Sequence, residues 1–387
     1  MSKIALRNAW FQVHKWIGLL LAIAIIPICV SGSILVWHDA IDDWLNPQRH
    51  VAGAPMLPVE RYAAAASAAA QPGEALMSLE IPTEGAVVAT LAQAPKPGAG
   101  RPVRTMVWLA GDDARLLDRA NSDAGMMRFM HVLHGTLYIP EWGRATVGWI
   151  GVFMMLSCLS GIWLWWPTVG SFVRGLRWRR HNDFNNNLHH QMGFWILLPL
   201  FALSLTGMWI SFPKVFADIG QPAAASGPNG GEAKGKGANG GAREPSRAAR
   251  MRARPLDNPA VSLNAAIAAA ASHGEVRVAR IAWPTDVEPH WNIRTGPDDR
   301  AQQSEVKVDA TSGASEIERP KNEPESLNRL MRRIHDGSDM GLFWQLIIFI
   351  GGILPAILSV TGIIMWWRAR KWRGELARRQ AAKLATA

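Results

Sequence analysis

WIGLLLAIAIIPICVSGSILVW, residues 16–37, contains no Asp, Glu, Lys or Arg. A bilayer crossing takes ~20 residues of helix, so this run is long enough to span. Working outward, three further blocks have the same character: 145–167, 193–212 and 341–367. The chain has 387 residues, of which 49% are hydrophobic and only 19% charged. Spread evenly, those residues would suit a soluble protein of two or three domains. Gathered into four uncharged runs, they predict an all-α four-helix transmembrane bundle. The first run is too long for a cleaved signal, and HDAIDDWL (38–45) follows it in place of a small-residue cleavage site, so it reads as a retained anchor.

Short basic flanks set the expected orientation. Lys3, Arg7 and Lys15 lead into the first run, VRGLRWRRHND (173–183) joins the second and third, and RARKWRGELARRQAAK (368–383) follows the fourth. These segments are expected on the cytoplasmic side of the membrane, with both termini there. The predicted division is helix 1 within 1–37, an external module at 38–130, a histidine segment and helix 2 at 131–167, and a basic cytoplasmic loop at 168–187. Helix 3 at 188–212, a second external module at 213–334, a histidine segment and helix 4 at 335–367, and a basic tail at 368–387 complete it. The net charge of +10 comes largely from the cytoplasmic flanks, so no nucleic-acid partner is expected. Cys29 and Cys158 both lie inside runs; the modules hold no cysteine for a disulfide, and no C-x-x-C-H motif for covalent haem occurs.

The chain repeats itself. A shift of 175 residues lays His14 on His189, Gly18 on Gly193, Ser31 on Thr206 and Gly32 on Gly207. A shift of 201 lays His134 on His335, Ser160 on Thr361, Gly161 on Gly362 and Trp165-Trp166 on Trp366-Trp367. The external stretches repeat too. LPVERYAAAASAAAQ (57–71) and AVSLNAAIAAAASHG (260–274) predict short helices. Strand-like runs follow each: LMSLEIP (76–82) and AVVATLA (86–92), then VRVARIAWP (276–284) and HWNIRTG (290–296). MVWLAGDDARLL (106–117) and EVKVDATSGASEI (305–317) carry hairpin signals, alternating apolar residues around a Gly/Asp/Ser turn. Each half is therefore expected to be span, small α+β module, span, with the halves related by a two-fold axis along the membrane normal. Residues 220–255, rich in Gly, Ala and Lys/Arg, predict a flexible insert.

That symmetry sorts the histidines. His14 and His189 open spans on one side of the membrane, and His134 and His335 precede spans on the other. Positions related by an axis face each other across it, so the members of each pair are expected to clasp one object. A flat, two-faced object held by two imidazoles is a haem, and two axial histidines leave no open coordination position. Two such b-type haems, bound without covalent attachment, would carry electrons across an otherwise insulating layer. Alternatives stay open. His190 adjoins His189, His38 stands near the expected place of His134, and His131 with His134 forms an i, i+3 pair that would suit zinc, though Arg332 occupies the position equivalent to His131. His134 precedes Gly161 by more helix than the apolar core needs. His134 and His335 are thus expected at or just above the external surface, with Gly135, Pro140 and Gly143 bending the approach. His50, His181, His273 and His290 read as loop residues.

The segments VHKWIGLLLAI (13–23) with SGSILVW (31–37), LHGTLYIPEWGRATVGWIG (133–151) with SGIWLWWP (160–167), LHHQMGFWILL (188–198) with TGMWISF (206–212), and IHDGSDMGLFW (334–344) with TGIIMWW (361–367) together resemble the PepSY-associated transmembrane proteins. EVKVDATSGASEI is similar to the closing hairpin of a PepSY module. The resemblance implies a dihaem b-type protein of the bacterial inner membrane, some relatives of which reduce ferric siderophores, with His14, His189, His134 and His335 at the family's span-end positions. The expected function is then electron transfer to a periplasmic Fe(III) chelate for iron uptake. No nicotinamide or flavin fingerprint is present, so the donor is expected to be a membrane quinol or a separate cytoplasmic reductase. Two other readings compete. One is a binding or regulatory protein displaying PepSY modules on a plain anchor. The other is an iron or siderophore permease, disfavoured by spans without ionisable residues.

Overall fold

A computed structural model describes residues 2–93, 104–166, 172–178, 181, 183–216, 247–274, 277–298, 303–318 and 327–385. In chain order come α1 (Lys3–Leu35), α2 (His38–Leu45), α3 (Val59–Ala68) and strands β1 (Glu74–Glu80), β2 (Val87–Gln93), β3 (Arg104–Leu109) and β4 (Leu116–Asn121). Then follow α4 (Met126–Thr136), α5 (Gly143–Trp165), α6 (Phe172–Gly175), α7 (Phe184–Ser211), α8 (Arg247–Arg252) and α9 (Leu263–Ala271). Strands β5 (Val278–Ala282), β6 (His290–Thr295), β7 (Ser304–Asp309) and β8 (Ser315–Glu318) precede α10 (Leu327–Asp336) and α11 (Gly341–Ala385). The chain divides into two units: a helical one made of residues 1–38, 129–230 and 324–387, and a sheet unit made of 39–128 and 231–323.

Four helices of the first unit, α1, α5, α7 and α11, are long and apolar enough to cross a membrane. Each packs on two neighbours: α1 on α5 and α11, and α7 on the same two. That leaves α1 and α7 on one diagonal of the bundle. Its outer faces are apolar, with Ile23 84% and Leu198 77% exposed. Such faces are stable only against lipid. Close approach comes from small residues. A β-carbon at Gly352 of α11 would stand 3.0 Å from the Cys29 carbonyl of α1, and one at Gly151 of α5 would stand 3.0 Å from the Ser204 carbonyl of α7. Ser33 adds a hydrogen bond to the Phe349 carbonyl at 3.1 Å.

The approach to the second and fourth spans bends as the sequence suggests, by a route that it does not announce. After α4, Leu137, Tyr138 and Glu141 take left-handed φ of 51°, 57° and 55° without being glycine. Gly143 then begins α5 so close to the Thr136 carbonyl that no β-carbon fits. The α10–α11 corner uses Gly337 and Gly341, with φ of 80° and 77°. His335 therefore lies on its own short helix and not on the long one. The expected basic tail continues α11 to Ala385, and α7 starts at Phe184, inside the stretch read as a loop.

In the second unit the two expected modules are not separate. Eight antiparallel strands form one sheet in the order β4-β3-β2-β1-β5-β6-β7-β8. The halves meet where Ser78, Leu79 and Glu80 of β1 pair with Ala282, Ile281 and Arg280 of β5. Period-two alternation turns one face of each strand inward, as the burial of every second residue in β6 and β7 illustrates. Helix α3 covers the first four-strand set, burying Tyr62, Leu79, Leu91 and Leu109, and α9 covers the second, burying Ile281, Trp291 and Ile293. Val59 and Leu263 belong to both clusters and make them continuous. The two largest buried side chains with polar tips are both satisfied, while Asn292 Oδ1 and Thr295 Oγ1 of β6 are buried without a hydrogen-bond partner among the described residues. Tyr62 donates to the Gly111 carbonyl at 2.5 Å, and the Trp291 indole to the Val261 carbonyl at 3.1 Å. Most of the expected insert 220–255 lies outside the described residues, but its end is ordered. Helix α8 forms, Ala253 is buried, and Pro255 bridges to Thr285.

Candidate functional site

The structure brings the four histidines together in two pairs. His14 of α1 and His189 of α7 face each other across the bundle diagonal, with ring centroids 6.4 Å apart and planes at 83°. His134 of α4 and His335 of α10 stand 5.9 Å apart at 45°. The other candidates pair elsewhere. His190 stacks on His181 at 4.5 Å, and His38 meets His131 edge-on at 5.5 Å. Among the described residues no cluster of three or more His, Cys, Asp or Glu side chains is arranged for a metal. A structural zinc ordinarily takes four such donors, so the His131/His134 alternative gains no support. His290, expected in a loop, opens β6.

Three of the four rings are held at Nδ1 by a Ser or Thr hydroxyl, and the fourth by a backbone carbonyl. His14 Nδ1 lies 3.2 Å from the Ser157 carbonyl and 3.0 Å from Ser160 Oγ. His189 Nδ1 lies 3.1 Å from Thr361 Oγ1, and His335 Nδ1 lies 3.0 Å from Thr206 Oγ1. His134 Nδ1 lies 2.8 Å from the Ile28 carbonyl. In every case the hydroxyl of a Ser or Thr donates to a backbone carbonyl one turn before it. Ser160 binds Ser157 and Thr361 binds Leu358, both at 3.0 Å, Thr206 binds Ala202 at 2.8 Å and Ser31 binds Pro27 at 2.6 Å. A carbonyl only accepts, and a hydroxyl whose proton is already given away must accept too. Nδ1 therefore carries the hydrogen in all four rings, a tautomer assigned from the hydrogen-bond network. The lone pair is left on Nε2, to which no hydrogen bond is made among the described residues.

A glycine follows each of these hydroxyl residues, and the ring rests on it. A β-carbon would stand 2.7 Å from the His134 ring at Gly32, 3.1 Å from His335 at Gly207, 3.3 Å from His14 at Gly161 and 3.7 Å from His189 at Gly362. The Ser/Thr-Gly dipeptides stand out in the sequence as marks of its repeat. Their work as seat and hydrogen-bond acceptor for a histidine on another helix could not be read there, because it depends on which helices touch.

The His14/His189 pair opens into a cavity of about 810 Å³ between the spans. Its apolar wall includes Ile25, Met154, Phe194, Leu197 and Leu200, and its rim carries Lys15, Asp183, His190, Arg368 and Arg373. One turn beyond each imidazole, Gly18 and Gly193 border open space and keep the wall flat. Asp183 caps α7 by accepting from the Asn186 amide at 3.1 Å and pairs with Arg368 at 2.7 Å. Chemically, each pair offers two imidazoles in one tautomer, oriented from behind, with their basic nitrogens available to a transition-metal centre taken from two sides.

Four helices long and apolar enough to cross a membrane, with paired, oriented histidines between them, define a class: a membrane protein with imidazoles paired inside its helical unit. The chain belongs to the family described as the PepSY-associated TM region, whose model matches residues 11–369. No curated protein matches the chain.

Proposed function

We propose that the protein is a dihaem electron-transfer protein of the bacterial inner membrane, built by internal duplication, which reduces an Fe(III) chelate on the external side. His14 with His189 would hold one b-type haem, and His134 with His335 the other. The observation carrying this reading is the spacing of the pairs. Two imidazoles bound from opposite sides to one metal, with bonds of ~2.0 Å, have ring centroids about 6.3 Å apart; the measured separations are 6.4 and 5.9 Å. Rotation about the nitrogen–metal–nitrogen line leaves the ring planes free, so 83° and 45° are both admissible. The cavity beside His14, with its glycine walls, suits a planar macrocycle.

A haem held by His14 with His189, or by His134 with His335, would supply one-electron redox chemistry. The residues do the rest. The hydrogen-bonded Nδ1–H groups fix ring orientation and raise the basicity of Nε2. The apolar wall excludes water, and the spans carry the two sites to opposite ends of the bundle. The basic flanks favour cytoplasmic termini, which puts the His134/His335 pair on the external side. Fe(III) is held by hard oxygen ligands more tightly than Fe(II), so an electron alone loosens such a chelate. No acid–base machinery is required. The sheet unit, read as two PepSY modules fused edge to edge, is external in this topology and would serve as a docking surface.

Haem quantitation and redox spectroscopy on the purified chain test the proposal. Two b-type haems per chain are expected, with His134→Ala or His335→Ala removing one and His14→Ala or His189→Ala the other. Variants that keep both haems would break the assignment. A colourless protein from haem-replete cells would turn the reading toward a binding module on an anchor.

A further inference from the structure

The ligand positions do not repeat alone. One residue after His14 is Lys15, and one residue after His189 is His190. Three residues before His134 is His131, and three before His335 is Arg332. The same shifts that superpose the imidazoles thus superpose Lys15 on His190 and His131 on Arg332. At every histidine of the two pairs, its own half adds one basic side chain at a fixed offset. At Lys15 and His190 the apolar runs follow within three residues, so helix amphipathicity does not force that offset, whereas Arg332 lies on the polar side of the short helix α10.

The surroundings distinguish these side chains from ordinary span-end cations. Lys15 and His190 both lie on the rim of the 810 Å³ cavity. Arg368 on the same rim is already neutralised by Asp183 at 2.7 Å. The Lys15 ammonium forms no ion pair among the described residues; it touches Gln12 Oε1 and lies 4.8 Å from the centre of the Trp16 ring. Arg332 likewise makes no ion pair or hydrogen bond among the described residues. Its neighbour Arg333 turns the other way, to the Ser338 and Asp339 carbonyls, both at 3.4 Å. On a helix, residues three apart share a face, so Arg332 sits over His335 and His131 over His134.

Resting on the haem reading above, we infer that these four side chains are the anion seats of the two sites: Lys15 with His190, and His131 with Arg332, each pair receiving the two carboxylates on one edge of a porphyrin. A porphyrin on the axis relating the halves presents one carboxylate to each half, which is why one basic group per half suffices. A carboxylate drawn toward a low-dielectric bundle needs such a partner. The asymmetry of the pairs, Lys with His and His with Arg, gives each ring edge one fixed charge and one imidazole donor.

A basic residue at a span end also suits lipid headgroups. That role is blind to whether the carboxylates of the macrocycle are free or esterified, and the test uses the difference. The full-length chain, made in haem-starved cells and purified without cofactor, is titrated in detergent with protohaem and with its dimethyl ester. A His134→Ala background isolates the first site and a His14→Ala background the second. The intact seats should prefer the free acid by about tenfold or more, ~1.4 kcal/mol per tenfold. Lys15→Met should shrink that preference at the first site only, Arg332→Met at the second only, and Lys15→Arg should retain it. Equal uptake of acid and ester by the unaltered chain, or a preference untouched by both Met variants, would overturn the inference and leave the axial pairs standing. Failure of the unaltered chain to take up either compound would overturn the haem reading and this inference with it.

Discussion

The two units solve opposite packing problems with the same chain. In the sheet unit the buried residues are large and apolar, with Trp291, Tyr62, Leu79 and Ile293 all at or below 1% exposure. In the bundle the most enclosed residues include Ser31, Ser33, Ser160, Thr206 and Thr361, while Trp195, Leu198 and Ile23 face outward. Water drives the first arrangement. The second needs a solvent as apolar as leucine, leaving small-residue contact and hydrogen bonds to decide which helices meet. The difference teaches where each kind of substitution should hurt: volume in the sheet, fine sterics and polar partners in the bundle.

The largest expected effect breaks the sheet side. Trp291→Ala removes an indole that is 1% exposed and leaves the Val261 carbonyl without its donor. Such deletions cost about 3–5 kcal/mol. Thermal unfolding followed by protease resistance of segments 39–128 and 247–318 should shift accordingly, while spectra reporting on the bundle stay unchanged. Loss of both together would mean that the units do not respond separately.

A smaller effect sharpens the bundle side. The four glycines under the imidazoles leave unequal room, with 2.7 Å at Gly32 and 3.7 Å at Gly362. Gly32→Ala must displace the His134 ring or the helix, an overpacking cost of about 1–3 kcal/mol. Gly362→Ala makes ordinary contact and should be neutral within about 0.5 kcal/mol. Melting of the detergent-solubilised chain, with haem occupancy of each site alongside, ranks the two. Equal tolerance would show that the rings are not seated on these positions.

How much of this could be read beforehand follows the same divide. Uncharged runs announce the spans because the membrane admits little else, and alternation in HWNIRTG and VVATLA announces strands. The histidine register under the two sequence shifts matches the pairs that the helices bring together. The edge-to-edge joining of β1 and β5 rests on three residue pairs with no local signature. The left-handed corner at Leu137, Tyr138 and Glu141 uses residue types that rarely adopt it, so tertiary context and not turn chemistry sets it. The carbonyls of Ile28 and Ser157 that orient His134 and His14 are invisible to any side-chain pattern.

The smallest expected effect is a pH dependence confined to the sheet unit. Glu74, its side chain only 8% exposed, meets the Arg119 guanidinium at 2.7 Å. It also accepts from Thr105 Oγ1 at 2.7 Å and from the Gln71 amide at 2.8 Å. Burial by itself pushes its carboxyl up, and it is the largest single influence, but these donors and the Arg119 charge together hold the carboxyl below the usual range. A carboxyl depressed in the folded state contributes stability that is fully present above its unfolded value, ~4.3, and is lost as pH falls through the folded one. The sheet unit should therefore lose stability as pH drops below about 4, and Glu74→Gln, less stable at neutral pH, should show a shallower acid decline. The bundle carries no ionised carboxylate in its spans and should not share that slope. A Glu74→Gln chain whose acid unfolding parallels the parent would remove this ion pair from the account and shift the acid sensitivity toward Asp118 and its partner Arg49, 2.6 Å away.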